Sequence, residues 1–190
     1  MFPSKFEKYV TAPDVDDVLH ISRLTSGQVW VSDRNNIILT DTTGVKIHHF
    51  TKRSDISYGV HTVTSAGNLI YIDSDDNINK LMADRKTHVR IRNATDWKPH
   101  CVYSSPSTGD LLIGMSKLEI KTHSMMKKIK ITRNDRTGKH VLTIRGDSSQ
   151  KLCDNFSYIT ENRNGDVLVS GTFVTAVDLE GRYRFSYTGP

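Results

Sequence analysis

The 190-residue chain carries 26 Lys+Arg against 21 Asp+Glu, a net charge of +5, with 36% hydrophobic residues, 12 Gly, 5 Pro and 2 Cys. These proportions belong to a folded globular protein and exclude disordered, collagen-like and disulfide-framework chains. At roughly 100 to 200 residues per domain, the length fits a single domain.

The amino terminus, Met1-Phe2-Pro3-Ser4, lacks the apolar core of a secretory leader. No stretch approaches the roughly 18 apolar residues of a membrane span. Cys101 and Cys153 have no Cys-x-x-Cys or His-x-x-x-His spacing around them, so neither a disulfide framework nor a zinc site is expected. These features predict a cytoplasmic protein with no membrane partner and no cofactor.

Along the chain one pattern recurs. Gly27-Gln28-Val29-Trp30-Val31-Ser32, Gly67-Asn68-Leu69-Ile70-Tyr71-Ile72, Gly109-Asp110-Leu111-Leu112-Ile113-Gly114 and Gly165-Asp166-Val167-Leu168-Val169-Ser170 each pair a glycine and a short polar residue with four mostly aliphatic positions. Glycine supplies the positive φ of a turn, and an unbroken apolar run of four suits a strand covered on both faces. The first repeat, residues 14–54, continues through a polar hairpin at Asp33-Arg34-Asn35-Asn36 to an Asp-x-x-Gly turn at Asp41–Gly44. The second, 55–98, has the acidic run Asp73-Ser74-Asp75-Asp76-Asn77 at the hairpin position. That run superficially resembles a calcium loop ending at Asp84, but Ile78 stands where such a loop needs Gly, and Asp84 is shorter than the usual bidentate Glu. A hairpin turn is the simpler reading. Asp84 takes the place of Asp41, with Thr87 where glycine is expected.

The third repeat, 99–150, contains about a dozen extra residues near 116–126 before its Asp135–Gly138 turn; Leu118–Met126 is the one window open to helical spacing. The fourth, 151–190, ends in an Asp178–Gly181 turn and an Arg-Tyr-Arg-Phe-Ser-Tyr strand. Successive first glycines lie 40, 42 and 56 residues apart. A period near 40, with almost no helical pattern, predicts an all-β fold of four four-stranded propeller blades. A six-bladed ring needs roughly 250 residues at this period, so an incomplete, open ring of the six-bladed TolB-like type is expected. Gly27, Gly44, Gly67, Gly109, Gly138, Gly165 and Gly181 are its structural turns. Trp30, Tyr71, Tyr158 and Phe173 are assigned to the blade core.

Charge is uneven along this repeat array. From Arg85 to Arg145 there are 14 basic and 4 acidic residues, while both flanks are acidic. In Met125–Arg133, alternation puts Ile129 and Ile131 on one face and Lys128 and Lys130 on the other. A solvated strand face gives this pattern, and so does a phosphate-contacting stripe. The stripe would comprise Lys127, Lys128, Lys130 and Arg133, with Arg90 and Arg92 and their neighbours Arg85, Lys86 and Lys98 from the second blade. The eight histidines form no catalytic pattern; His48-His49 on a strand face opposite ways, and His61 and His100 read as core or turn residues. No G-x-S-x-G, Walker or H-E-x-x-H motif is present.

The ordered set Trp30-Val31-Ser32-Asp33, Tyr58-Gly59-Val60-His61, Trp97-Lys98-Pro99-His100-Cys101, Ser105-Pro106-Ser107-Thr108-Gly109-Asp110, Tyr158-Ile159-Thr160-Glu161-Asn162 and Arg184-Phe185-Ser186-Tyr187 resembles the carboxy-terminal NHL-type propeller of tripartite-motif-like proteins, as expanded in molluscs. The resemblance implies a non-catalytic propeller that recognises a protein partner or ubiquitination substrate, and in some relatives RNA. Two cysteines cannot build a RING's zinc sites, so no ligase activity is expected in this chain. No small-molecule substrate is expected either; a calcium-dependent propeller hydrolase is the remaining alternative.

Overall fold

The computed structural model describes residues 12, 14–51, 60–92, 95–121, 124–146, 152 and 157–189. Among the described residues, sixteen strands form four four-stranded antiparallel sheets, each in simple meander order. Blade one holds β1 (His20–Arg23), β2 (Val29–Ser32), β3 (Asn36–Thr40) and β4 (Lys46–Thr51). Blade two holds β5 (His61–Val63), β6 (Leu69–Ile72), β7 (Ile78–Leu81) and β8 (His88–Arg92). Blade three holds β9 (Lys98–Ser104), β10 (Leu111–Lys121), β11 (Ser124–Asn134) and β12 (His140–Arg145). Blade four holds β13 (Tyr158–Glu161), β14 (Val167–Ser170), β15 (Val174–Val177) and β16 (Tyr183–Tyr187).

The first strands β1, β5, β9 and β13 pack on one another in sequence, so the blades fan out from a common axis as a β-propeller. Among the described residues no strand pairing joins one blade to another, and none closes the ring. At the axis the His20 ring lies 4.7 Å from that of His61 and 5.6 Å from that of Tyr158, linking the inner strands of blades one, two and four.

The apolar runs explain the stacking. In β6, Leu69 and Tyr71 join a core with Trp30, Ile37 and Leu39 of blade one, whereas Ile70 and Ile72 join Val102, Ile113 and Met115 of blade three. A third core packs Cys101, Leu112 and Ile131 of blade three on Ile159, Val167 and Val169 of blade four. Every core therefore lies between blades, and alternate residues of a central strand serve different neighbours. Trp30 and Tyr71 are buried as assigned, but Tyr158 is 42% exposed, because it stands at the axis instead of between sheets.

The extra residues of the third repeat form no helix. They lengthen β10 and β11 to 11 residues each, paired from Leu111↔Asn134 out to Lys121↔Ser124. Beyond the blade no sheet among the described residues covers this ribbon, and Leu118 and Ile120 are exposed.

Three blades share one turn. In Asp41–Gly44, Asp135–Gly138 and Asp178–Gly181 the glycine N–H donates to the aspartate carbonyl, and the aspartate Oδ1 accepts the N–H groups two and four residues on. At Gly181, with φ 82, a Cβ would come within 3.0 Å of Ile144 on the neighbouring blade, so glycine is required on two counts. Blade two departs from the sequence expectation. Its turn is one residue longer, closing from Met82 to Thr87, and the glycine place falls to Arg85, whose N–H donates to the Met82 carbonyl. Asp84 still organises the loop from two positions later, accepting the N–H groups of Lys86 and Thr87. The strand bulge that lies next to the turn in the other three blades moves here to the opposite end of β7, between Ile78 and Asn79.

Candidate anion-binding cleft

Between the outer strands of blades two and three the sheets diverge into a cleft of about 1020 Å³. Its floor is Ile70, Ile91, Leu111 and Ile113 from the shared core. Its walls carry Lys80 on β7, Arg92 on β8 and Lys130 on β11, with Arg136 and His140 at the rim. Strand register explains the convergence. Lys130 pairs with Arg145 and with Met115, and Arg92 pairs with Ile78, so both cations share the faces that the two blades turn towards each other.

Among the described residues, no carboxylate forms an ion pair with Arg90, Arg92 or Lys130. Burial pushes the Lys130 ammonium below its usual range, and the charges of Arg92, Arg145 and Lys117 push in the same direction. Arg92 is likewise lowered by burial. Lys130 is held over the Trp97 ring, 3.9 Å from its centroid, a cation–π contact that orients it without neutralising it. The one acid at the rim, Asp135, already accepts hydrogen bonds from Thr137 and Lys139 within its own turn. An anion entering the cleft therefore meets partly desolvated, uncompensated positive charge, the condition under which charge-assisted hydrogen bonds contribute most.

Of the basic positions singled out in the sequence, the structure brings together Arg92 and Lys130 and separates the others; Arg90 pairs with Asn79, on the face of β8 that His88 turns towards blade one. Lys128 lies on the same ribbon face as Lys130 but farther out, paired with Glu119 at 2.8 Å. Lys127 is exposed on the opposite face. Arg133 is only 7% exposed: it ion-pairs with Glu161 of blade four, and its Nε lies 2.9 Å from Asp110 Oδ2 at an angle short of a hydrogen bond. It fastens two blades and faces no solvent. Lys80, Arg136 and His140 escaped the sequence reading because no local pattern marks them as facing the same space; only blade packing gathers them.

The other candidates resolve as structure. Asp73 caps a hairpin turn, its carboxylate accepting from Asp75, Asn77 and Asn79. Among the described residues no group of three or more His, Cys, Asp or Glu could hold a metal. His61 is fully buried, and His100 is paired with the Ser116 hydroxyl at 2.7 Å. Cys101 is a free, buried thiol pushed up to about 12 by burial, so it is no nucleophile at neutral pH; Cys153 lies outside the described residues. Among the described residues, no helix is long and apolar enough to cross a membrane.

No family model matches the chain, and no curated protein matches it in sequence. Among solved structures, a protein of unknown function from Bacteroides caccae superposes with a TM-score of 0.63 at 15% identity, over 87% of this chain and 59% of that one. A weaker likeness, TM-score 0.49 at 12% identity over 90% and 80% of the two chains, is to a chain of a nidogen/laminin complex. The first likeness is one of fold, a β-propeller, and this chain spans 59% of the length of that protein.

Proposed function

We propose that the chain is a non-catalytic recognition module whose cleft between blades two and three takes an acidic segment of a protein partner. The observation that carries this reading is the convergence of Arg92 and Lys130 without a neutralising carboxylate among the described residues. The sequence resemblance to tripartite-motif-like propellers supports a finer form, in which the partner is a ubiquitination substrate and a ligase module acts elsewhere.

RNA is the second reading, favoured by the same cations. Single strands bound without sequence preference stack bases on aromatic rings. The cleft lining contains no Phe, Tyr or Trp among the described residues, and Lys130 already covers one face of Trp97. An acidic peptide needs no stacking platform and fits the lining better. Fluorescence anisotropy with an oligoglutamate peptide and with a single-stranded oligoribonucleotide separates the two. Peptide binding that Arg92→Glu and Lys130→Glu abolish, with weaker oligonucleotide binding, is expected; preferential oligonucleotide binding sensitive to the same variants favours RNA. No response to either probe rejects the cleft as the site.

A further inference from the structure

A second cavity, of about 330 Å³, opens where blades one and two meet, lined by Leu24, Gln28, Trp30, Leu69, Met82 and Arg85 among others. Two features of Arg85 coincide there, on a wall that Trp30 helps to form. Arg85 adopts φ 61, the left-handed region, at the turn place that Gly44, Gly138 and Gly181 occupy in the other blades. That conformation costs free energy for any residue with a β-carbon, and such strain is retained where the side chain is needed. The Arg85 guanidinium crosses to blade one and donates to Gln28 Oε1 at 2.9 Å. Finally, the Trp30 ring, 2% exposed, forms part of the cavity wall, with its indole N–H shielded behind it.

The polar groups left over are donors. Gln28 Oε1 already accepts from Arg85 and from the Ser26 hydroxyl, which leaves the Gln28 amide N–H groups and the rest of the guanidinium fork. No carboxylate ion-pairs with Arg85 among the described residues. Leu24, Leu69 and Met82 supply apolar wall. One cation with a planar fork, neutral donors beside it and an aliphatic wall match a monoanion on an apolar stem better than a phosphate dianion. The volume lies at the small end of ligand cavities.

We propose that this cavity binds a carboxylate carried on a short aliphatic stem, with Arg85 and Gln28 as its charged and neutral donors. The site is separate from the cleft between blades two and three and stands or falls independently of it. A free aliphatic acid and the carboxy-terminal residue of a peptide both offer this chemistry.

The test is titration followed by the Trp30 indole N–H resonance in a nitrogen-15 spectrum, assigned with Trp97→Phe. The probes are hexanoate, acetyl-alanyl-leucine with a free carboxylate, and its carboxy-terminal amide. Both acids are expected to shift the resonance at millimolar concentration and the amide to leave it in place. Tighter binding of the peptide acid assigns the source to a chain end, and tighter binding of hexanoate to a free acid. Arg85→Gly is expected to weaken binding at least about tenfold, the loss of a charge-assisted pair. It should do so without lowering the melting temperature, since glycine is what three equivalent turns use. An unmoved resonance, an equal response to the amide, or unchanged affinity in Arg85→Gly overturns the proposal. A lowered melting temperature in Arg85→Gly assigns Arg85 to the turn alone and overturns it as well.

Discussion

Arg133 shows what a single side chain does when strand alternation turns it inwards. Its charge is buried with those of Asp110 and Glu161, across the joint between blades three and four. Removing one member of such a group leaves the others charged and unpaired. Arg133→Ala should cost roughly 3–5 kcal/mol in chemical denaturation. Arg133→Met combined with Glu161→Leu should cost far less, because no charge is then stranded between the blades.

His100 gives the fold a pH dependence whose sign follows from its surroundings. Burial, aided by Lys127 and Lys98, lowers its imidazole from 6.5 to about 4. In the unfolded chain the ring protonates at the higher value, so the unfolded state binds the extra proton between these limits. Stability therefore falls as pH drops from about 6.5 to about 4, by roughly 2 kcal/mol once solvent screening is allowed for. Melting curves across that range should show the loss, and His100→Gln, which keeps a donor near the Ser116 hydroxyl, should flatten it. A further loss is expected at lower pH. Thr87 and the backbone N–H groups hold the Asp84 carboxyl down to about 2 from 3.8, and Asp41 and Asp135 are lowered by Thr43 and Thr137 in the same way. The Asp84 contribution is complete above about pH 4 and mostly lost as pH approaches 2, and those of Asp41 and Asp135 are lost in the same direction as pH falls, so thermal stability should fall again below about pH 4.

At the scale of elements, the long β10–β11 ribbon tests whether length beyond the blade matters to the fold. Leu118 is 63% and Ile120 84% exposed, so the outer ribbon buries little apolar area. Replacing residues 119–126 with Asn-Gly joins Leu118 to its partner Lys127 through a tight hairpin. The melting temperature should change by no more than a few degrees, and Lys130 should keep its place over Trp97, checked by the indole chemical shift. The turns show how far sequence reading reaches. Three Asp-x-x-Gly cassettes are legible because glycine marks the left-handed position directly. The second-blade turn is not, because Arg85 fills that position and a one-residue insertion shifts the aspartate; matching Asp84 with Asp41 puts Thr87 where the chain has already turned. The cleft was legible by half. Alternation along β11 marks Lys130 as outward, but nothing local tells whether Lys80 on β7 will meet it, since that depends on how two sheets diverge.

For the whole molecule, four blades share three cores, and none owns a core by itself. Repeat arrays of this kind unfold together when their junctions are strong. A single calorimetric transition with coincident near- and far-ultraviolet signals is expected; two separated transitions would mean that one junction is weak enough to part first. The sequence period was enough to read the blade count and the unclosed ring, because each glycine-led strand announces a blade. The ring contacts at the axis were not readable, as His20 and Tyr158 lie far apart in the chain and meet only through the radial arrangement.

The sharing of cores turns neighbouring residues into instruments for different joints. Leu69 and Ile70 are adjacent in β6, yet the first presses on blade one and the second on blade three. Trimming Leu69 to alanine loosens one hinge line, and trimming Ile70 loosens the other, while the strand that carries both stays the same. A pair of such variants, compared by amide exchange on either side, would measure how far a disturbance at one joint travels round the fan before it dies away.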